Sequence, residues 1–378
     1  MRIAYVCADP GIPVFGTKGA SVHVQELVRT WHRRGDQVTV YCTRLGEHVP
    51  ADLAGLPVVC DPVVKGGDAA DRERGQAEAA ARLAKLALAD GVDLVHERYS
   101  LFSTALADMT AQSGVPGLLE VNAPLIDEQR THRTLVDAAG AGAALERQVL
   151  AARRVCCVSR EVADWVGATL GQQAEIADIV VTPNGVDPER FAAAAHTEPA
   201  LDPPVVVFVG TLKPWHGVEI LLDAAAIART RWRLRIVGDG PLAGSLRERA
   251  GTLGLDVDFR GAVAPEAVPA HLADCLVAVA PYPADDNHYF SPLKVYEAAA
   301  AGLPVVATAV GQIPGIVEHG RTGLLVPPSR PVELAAAVDA LVADPERARR
   351  LGRAGRDVVR RRHTWDQVLA AGLAGVLR

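Results

Sequence analysis

The 378-residue chain has little lysine, although it does not lack positive charge. Only five of its 39 basic residues are lysines, at positions 18, 65, 85, 213 and 294. The chain also lacks a basic excess, since its formal net charge is −6, and this argues against a nucleic acid as partner. No apolar run reaches the roughly 18 residues of a membrane-spanning helix, so only peripheral membrane contact is left open.

Metal-binding cysteine spacings and a leader segment are lacking as well. The six cysteines are scattered, and Cys7, Cys42 and Cys156 lie in apolar runs, which is typical of reduced core thiols in the cytosol. The apolar pattern at 3–7 has no basic region before it, so we expect no secretory signal. Adjacent Asp285 and Asp286 point in different directions on an irregular loop and have no evident third ligand, so we predict no metal site.

Short apolar runs alternate with longer segments of helical spacing along the chain. Strands are predicted at 2–7, 37–42, 93–96, 117–121, 154–158, 178–181, 204–209, 233–237, 256–260, 276–280, 304–307 and 323–326. Helical segments include 20–34, 72–90, 138–153, 217–229, 241–253 and 330–361. Buried parallel strands separated by such helices predict doubly wound α/β sheets. The stretch 192–204 has no periodicity and is interpreted as a linker between two Rossmann-like domains, with ligands bound beyond the strand carboxyl ends.

The segment 276–310 is the most informative part of the chain, because it predicts a strand, a polar loop and a helix with complete end signals. Ser291 is a good N-cap, and Pro292 suits the first helical position, where a missing N–H has no cost. Gly302 stands where a C-terminal cap belongs, and Pro304 discourages continuation of the helix.

The start of this helix predicts an anion site. The amides of Leu293 and Lys294 would be free at the positive end of the helix dipole, beside the Lys294 ammonium, which suits a phosphate. Glu297 follows at i+3 on the same helix face and can accept two ribose hydroxyls. These residue types in this order point to a nucleotide.

A second loop is predicted to place cations near the same anion site, beyond the carboxyl ends of the strands. The strand at 204–209 leads into a turn at Gly210 and then to Lys213 and His216. Lysine is a compact charge on a flexible stem and suits a phosphate that moves during a reaction. The alternative is a loop of solvated charges. If protonation of His216 assists binding, affinity for diphosphate should fall between about pH 6 and 8.

Weaker signals follow other strands. The turn Val237-Gly-Asp-Gly-Pro241 would let a ligand approach the backbone at Gly238, although such turns are common. The segment 259–263 ends a strand where backbone groups can meet a nucleobase.

In the first half, a long loop with Gly16, Lys18 and Gly19 opens onto the helix that carries His23. It is not a GxGxxG fingerprint, which argues against nicotinamide or flavin binding. Two more strands end in the polar segments 96–100 and 120–128. Taken alone, each segment is typical of loop residues whose polar groups bond to water or to nearby backbone. Their convergence on one sheet edge favours a binding role.

The block Ser291-Pro-Leu-Lys-Val-Tyr-Glu297-Ala-Ala-Ala-Ala-Gly-Leu-Pro-Val-Val resembles the donor motif of glycosyltransferase family 4, retaining enzymes of the GT-B architecture. The segments 183–191, 209–217, 237–241 and 311–326 agree with that family in order and spacing. The resemblance covers essentially the whole chain and is best from 155 to 330.

The resemblance implies two Rossmann-like, doubly wound parallel-sheet domains that face each other across a cleft. Residues 1–190 would form the acceptor-side domain and residues 191–362 the nucleotide-sugar domain. A helix at 363–378 would cross back onto the first domain.

The resemblance also implies a nucleoside-diphosphate sugar as co-substrate, most readily a UDP-sugar, without a metal or other cofactor. Lys213 and Lys294 would be the catalytic cations on the diphosphate, and Glu297 would bind the ribose. The other donor-binding residues would be Gly210, Thr211, His216, Gly238, Val263, Tyr289, Ser291, Pro292 and Leu293. The acceptor-side residues would be Gly16, Lys18, Gly19, Asn122 and Glu128.

Three features depart from the family pattern. Tyr289 replaces the first of two glutamates eight positions apart. Thr211 and His216 stand where the phosphate loop typically has arginine and lysine, and Asn122 stands where many members have histidine. We interpret the chain as a variant with altered sugar choice and not as an inactive protein.

The resulting hypothesis is a metal-independent, retaining hexosyltransferase-like enzyme acting on a hydroxyl acceptor: a glycan, a lipid-linked sugar or a small natural product. It would work in the cytoplasm, or peripherally at the inner face of the membrane. The alternatives are a GT-B phosphorylase or disaccharide synthase, and a non-catalytic nucleotide-sugar-binding subunit. The donor base, the sugar, the acceptor and the oligomeric state are left open.

Overall fold

The computed structural model describes residues 1–64, 66–195, 202–284 and 288–377, which form two units, each built on one parallel sheet. The first unit comprises Met1–Pro183 together with the segment from Trp365 onward, and the second comprises Asn184–Thr364. The division after Pro183 precedes the predicted linker at 192–204, of which residues 196–201 lie outside the described residues.

The first unit alternates strands and helices along the chain. Its strands are β1 (Arg2–Cys7), β2 (Gln37–Cys42), β3 (Val58–Cys60), β4 (Leu94–Arg98), β5 (Gly117–Val121), β6 (Arg154–Cys157) and β7 (Ile179–Val181). Its helices up to this point are α1 (Gly19–Arg33), α2 (Ala69–Asp90), α3 (Ala105–Ser113), α4 (Leu125–His132), α5 (Ala138–Ala151) and α6 (Arg160–Leu170). The strands pair in parallel in the order β3-β2-β1-β4-β5-β6-β7.

The second unit repeats this plan. Its strands are β8 (Val205–Val209), β9 (Arg233–Val237), β10 (Val257–Gly261), β11 (Cys275–Ala280), β12 (Val305–Thr308) and β13 (Gly323–Val326). Its helices are α7 (Ala192–Ala195), α8 (Val218–Ala226), α9 (Ala243–Thr252), α10 (Val268–Leu272), α11 (Leu293–Ala300), α12 (Ile313–Ile316), α13 (Pro331–Val342) and α14 (Pro345–Arg362). The parallel order is β10-β9-β8-β11-β12-β13.

Both sheets are doubly wound, which confirms the fold class predicted from the sequence. The strand order reverses between β1 and β4 in the first unit and between β8 and β11 in the second. In such sheets a crevice opens at the reversal, beyond the carboxyl ends of the strands. The loops that follow these four strands are therefore the first places to look for a site.

The apolar runs form strands that helices cover on both faces of each sheet. All residues of β5 and of β11 are buried, as expected for parallel strands covered on both faces. The three thiols predicted to be core residues, those of Cys7, Cys42 and Cys156, are buried and unpaired.

Two sequence interpretations were incomplete. Strand β3 was missed, because three residues at the sheet edge give no periodic signal. The single helical segment predicted at 330–361 is two helices, because Asp344 caps α14 by accepting the Arg347 amide at 2.9 Å and Pro345 occupies its first turn.

The last helix, α15 (Trp365–Leu373), belongs to the first unit, as the family resemblance implied. The buried Trp365 ring meets the His23 ring edge-on, with centroids 5.0 Å apart. Arg33 of α1 pairs with Asp366 at 3.4 Å. Helix α15, which follows the second unit along the chain, thus packs into the core of the first unit.

A glycine contact holds α14 against the end of α11 and provides a test of the packing. A Cβ added to Gly352 would lie 1.9 Å from the Gly302 carbonyl oxygen, so Gly352→Ala should lower the free energy of unfolding by about 1–3 kcal/mol. Gly251→Ala on α9 meets no atom within 4 Å and should leave stability unchanged or raise it by up to about 1 kcal/mol. Calorimetric unfolding of the two variants measures both effects, and equal melting temperatures would contradict this packing.

Candidate functional site

Helix α11 begins one residue later than the predicted cap implied. Pro292 is the N-cap and makes no side-chain capping bond. The Ser291 hydroxyl accepts the Asn184 amide at 3.0 Å, and the Ser291 carbonyl accepts Asn184 Nδ2 at 2.8 Å. The prediction that Ser291 caps the helix is therefore wrong, because a residue distant in sequence engages its side chain.

The other end of α11 is closed as predicted. Gly302 has a φ of +74°, which favours glycine, and its amide donates to the Ala299 carbonyl at 2.9 Å. The Leu303 amide donates to the Ala298 carbonyl at 3.0 Å, which completes a Schellman motif. The C-terminal end of the helix is thus satisfied internally, whereas its N-terminal end is not.

Two amides at the start of α11 have no acceptor among the described residues. The Val295 amide donates to the Pro292 carbonyl at 3.0 Å, and Pro292 has no N–H. The amides of Leu293 and Lys294 make no such bond within the described part of the chain. Free N–H groups at a helix N-terminus, at the positive end of its dipole, form an anion site.

The Lys294 side chain lies in an apolar setting. Its Nζ is 4.2 Å from the centroid of the Phe208 ring and 5.2 Å from that of Tyr282. The nitrogen itself is buried and has no hydrogen-bond partner among the described residues. Burial lowers the pKa of Lys294 to about 7, and Glu297 one turn on opposes this shift.

The strand-end loops of the second unit close on one another through backbone contacts. A Cβ on Gly210 would lie 2.6 Å from Lys294 Nζ, and one on Gly238 would lie 1.9 Å from the Gly210 carbonyl oxygen. The Leu212 amide donates to the Asp239 carbonyl at 2.9 Å. At Gly238 the structure shows a close approach of the neighbouring loop, which brings Gly210 over the lysine. The approach of a ligand to the Gly238 backbone stays a prediction.

His216 lies on a short turn, Pro214–His216, where its Nδ1 is hydrogen-bonded to the Thr211 carbonyl. Because a carbonyl only accepts, Nδ1 carries the proton and Nε2 is left as an acceptor. Burial, followed by the charge of Lys294, lowers the pKa of His216 to about 3. The imidazole is neutral between pH 6 and 8, so the pH dependence expected from its titration is wrong.

The other predicted donor residues surround these loops. Lys213 Nζ lies 4.3 Å from the centroid of the exposed Trp215 ring. Glu297 lines the same small cavity as Lys294, and the other walls of that cavity are apolar side chains of β8, β11, β12, α10 and α11. Val263 packs against the core, and Tyr289 is half-buried. Asp285 and Asp286 lie outside the described residues.

In the first unit, the predicted acceptor loop is held in place by a buried amide that sequence reasoning missed. Gln25 Nε2 donates to the carbonyls of Val14 and Gly16, each at 2.9 Å. Helix α1 then begins at Gly19, with Lys18 as its extended N-cap. A glutamine within an amphipathic helix gives no signal of this kind, because its partners are set by the loop conformation.

A second missed feature is a buried polar cluster around Glu120. Its carboxylate accepts the Tyr5 hydroxyl and lies near His23 Nε2, each at 3.0 Å, and His96 Nε2 is 3.4 Å away. The His96 Nδ1 accepts from Trp31 at 3.0 Å. The two histidines hold the pKa of Glu120 well below its usual value against the opposing effect of burial. Asn122 follows two residues later, and Glu128 lies on α4.

The described residues include no group of three or more His, Cys, Asp or Glu side chains arranged to hold a metal ion. Nor does any described helix have the length and apolar character needed to cross a bilayer.

Comparison with known families assigns both halves of the chain. Residues 17–190 match Glycosyltransferase Family 4, and residues 203–344 match Glycosyl transferases group 1.

Similar proteins carry related names. A D-inositol 3-phosphate glycosyltransferase of Nocardia farcinica is 30% identical over 386 residues, which cover 91% of this chain and 81% of that protein. A GDP-mannose-dependent alpha-(1-6)-phosphatidylinositol monomannoside mannosyltransferase of Mycobacterium tuberculosis is 36% identical over 217 residues. That match covers 53% of this chain and 56% of the mannosyltransferase, so it spans about half of each.

Solved structures share the fold. Anabaena HepE in complex with UDP has a TM-score of 0.71 at 21% identity and covers 99% of this chain and 100% of its own. The lipopolysaccharide glycosyltransferase WaaG has a TM-score of 0.70 at 15% identity, with 98% and 99% covered. Both halves of the chain match the family, and the Nocardia relative aligns over 91% of this chain, so the chain belongs to glycosyltransferase family 4 and has the GT-B fold.

Proposed function

We propose that the protein transfers a sugar, with retention of anomeric configuration, from a nucleoside-diphosphate sugar to an acceptor hydroxyl. The observation that carries this proposal is the buried Lys294 ammonium, unpartnered among the described residues, beside the two free amides that start α11. An isolated buried cation is costly to a folded protein, and an anion in contact with it removes that cost. A diphosphate supplies such an anion.

Transfer of the sugar requires stabilisation of the negative charge that develops on the diphosphate. When the bond between the anomeric carbon and the diphosphate oxygen breaks, negative charge collects on the diphosphate. Lys294 and the amides of α11 are present before that charge forms and stabilise it without rearrangement. An oxygen of the bound diphosphate can then take the proton of the acceptor hydroxyl on the same face of the sugar.

Different polar groups suit different parts of the donor. The Glu297 carboxylate follows Lys294 by one helical turn and suits the ribose hydroxyls. Lys213 suits the outer phosphate. Neutral His216 offers an acceptor at Nε2, which suits a sugar hydroxyl and not a phosphate oxygen.

The names of similar proteins suggest candidate donors and acceptors. The mycobacterial mannosyltransferase is named for GDP-mannose, whereas the family resemblance implied a UDP-sugar, so both nucleotides are candidate donors. Tyr289, Thr211 and Asn122 replace residues typical of the family, and we propose that they alter the choice of sugar. The D-inositol 3-phosphate glycosyltransferase supports a polyol or sugar acceptor.

The direct test is transfer by the purified protein with UDP- and GDP-hexoses, comparing the wild type with Lys294→Met. Loss of the ammonium should lower kcat by about 10²–10³, by analogy with loss of one oxyanion donor. Lys85→Met, at an exposed lysine of α2, is the matched control and should keep the wild-type rate. NMR of the product should show the anomeric configuration of the donor. An inverted product, or full activity of Lys294→Met, would refute the proposal.

The same lysine should make the ligand-free protein less stable. Its pKa falls from 10.5 to about 7, so the native state loses stability as the pH falls from 10.5 through 7, and the loss is complete below that. At pH 6, Lys294→Met should therefore be more stable than the wild type by about 2–4 kcal/mol. At pH 10 the two should nearly coincide, because the lysine is then largely neutral. Denaturant titrations at both pH values measure this, and a pH-independent difference would contradict it.

Binding of the diphosphate should take up a proton. A bound anion raises the pKa of Lys294, so above pH 7 the neutral amine must be protonated as the ligand binds. Between pH 7 and 9 the affinity for UDP or GDP should fall by up to about tenfold per pH unit. Calorimetry at pH 8 in buffers of different ionisation enthalpy should show uptake of up to one proton by the wild type and none by Lys294→Met. Equal uptake by both proteins would assign the proton to another group.

A further inference from the structure

Several polar atoms at the carboxyl edge of the first sheet are buried and have no hydrogen-bond partner among the described residues. They are Ser21 Oγ, Arg98 Nη1, Tyr99 OH, Ser100 Oγ and Asn122 Nδ2. Except for Asn122, the residues that carry them are less than one-tenth exposed. Buried polar groups are nearly always paired, so such a concentration calls for an explanation.

These atoms belong to loops that the topology brings together. Arg98 is the last residue of β4 and is in register with Cys7 of β1 and Glu120 of β5. Tyr99 and Ser100 follow it, and the Tyr99 amide donates to the Glu120 carbonyl at 2.8 Å. Ser21 lies in the first turn of α1, after the loop from β1, and Asn122 follows β5. The cluster lies where the order of the first sheet reverses, between β1 and β4.

The charge of Arg98 is not neutralised at close range. No carboxylate of the described residues lies within ion-pair distance of its guanidinium, whereas Arg29 and Arg82 in the same unit have carboxylates at 2.6 and 2.7 Å. The nearby carboxylates are used elsewhere. Glu120 is engaged by two histidines and Tyr5, as described above, and Glu97 accepts the Ser103 hydroxyl at 2.5 Å and the Leu106 amide at 2.6 Å.

The unpartnered atoms share one chemical property, because all of them can donate a hydrogen bond. A guanidinium, three hydroxyls and an amide N–H₂ have donors to offer. The buried carboxylate of Glu26 on α1 is not part of this set, because it is paired with Arg29 at 2.9 Å. Such a set suits a ligand rich in acceptors and negatively charged. The several oxygens of a phosphate fit five donor groups better than the two oxygens of a carboxylate.

We propose that Arg98, with Ser21, Tyr99, Ser100 and Asn122, binds a phosphate group of the acceptor. This deepens the function proposed above and rests on it, since it names the class of acceptor: a hydroxyl compound that also carries a phosphate. Arg98 is then a specificity-determining residue, because its bidentate N–H groups distinguish a phosphorylated acceptor from the neutral compound.

A binding experiment without any donor tests the proposal. All proteins carry Lys294→Met, so that the anion site of the second unit does not contribute. Isothermal titration with inositol 3-phosphate and with neutral inositol tests a soluble phosphate, and co-sedimentation with phosphatidylinositol vesicles against phosphatidylcholine vesicles tests a lipid headgroup. Arg98→Met should weaken binding of the phosphate compound by about 10- to 100-fold, as expected for loss of charge-assisted hydrogen bonds, and Arg98→Lys should restore part of it.

Two controls separate binding from structure. Arg153→Met removes an exposed arginine of the same unit and should bind as the parent does. Arg98→Met should melt at the same temperature as the parent or higher, because it removes a buried charge without a partner, whereas a structural arginine would lower it. Unchanged affinity in Arg98→Met, equal binding of inositol and its phosphate, or no binding of either phosphate source by the parent would overturn the proposal.

The outcome is separable from that of the transferase proposal. Nucleotide binding and transfer depend on Lys294 and are measured on proteins that retain it. If transfer to a neutral acceptor proceeds and Arg98→Met changes nothing, the transferase stands and the phosphate subsite fails. If phosphate binds through Arg98 and no sugar nucleotide is used, the phosphate subsite stands and the transferase proposal fails.

Discussion

The common direction of the strands within each sheet is the constraint on which the rest of the structure depends. Because parallel strands end at one edge, loops far apart in sequence meet there. In the second unit this brings Gly210 over the Lys294 ammonium and packs Gly238 against the Gly210 carbonyl. A Cβ at Gly238 would collide with backbone, and the φ angles of +147° at Gly210 and +143° at Gly238 favour glycine at both positions. In the first unit the same constraint gathers Arg98 and Asn122 at one edge.

Each unit holds a cation at this edge that the described residues do not neutralise: Lys294 in the second and Arg98 in the first. A buried charge without a partner reduces stability, and proteins usually keep such groups where a ligand removes the cost. At Arg98 the neighbouring carboxylates do not remove this cost, since Glu97 and Glu120 are engaged by other groups. At Lys294 the charge of Glu297 opposes the effect of burial without cancelling it. In both units, the buried cation thus lies at the edge of the sheet where doubly wound sheets bind ligands.

Patterns with a local cause were predictable. Apolar runs identified the long buried strands, and the Gly302 and Pro304 signals identified the end of α11, because each depends on residues a few positions apart. Features with a distant cause were not. Ser291 is engaged by Asn184 and so does not cap α11. His216 is half-buried near Lys294, and burial followed by that charge lowers the pKa of its imidazole to about 3.

The amino-acid sequence alone determined the fold class and the family, since periodicity, end signals and motif order depend on neighbouring positions. It also singled out Lys294, Lys213 and Glu297 as candidate site residues, and their role stays a prediction. The tertiary structure alone decided which of the polar groups have partners. Gln25 holds the loop before α1, and Arg98 lacks a carboxylate within the described residues, and neither fact has a sequence signature. The physical reason is that desolvation and pairing depend on distances across the sheet, which adjacent residues do not encode.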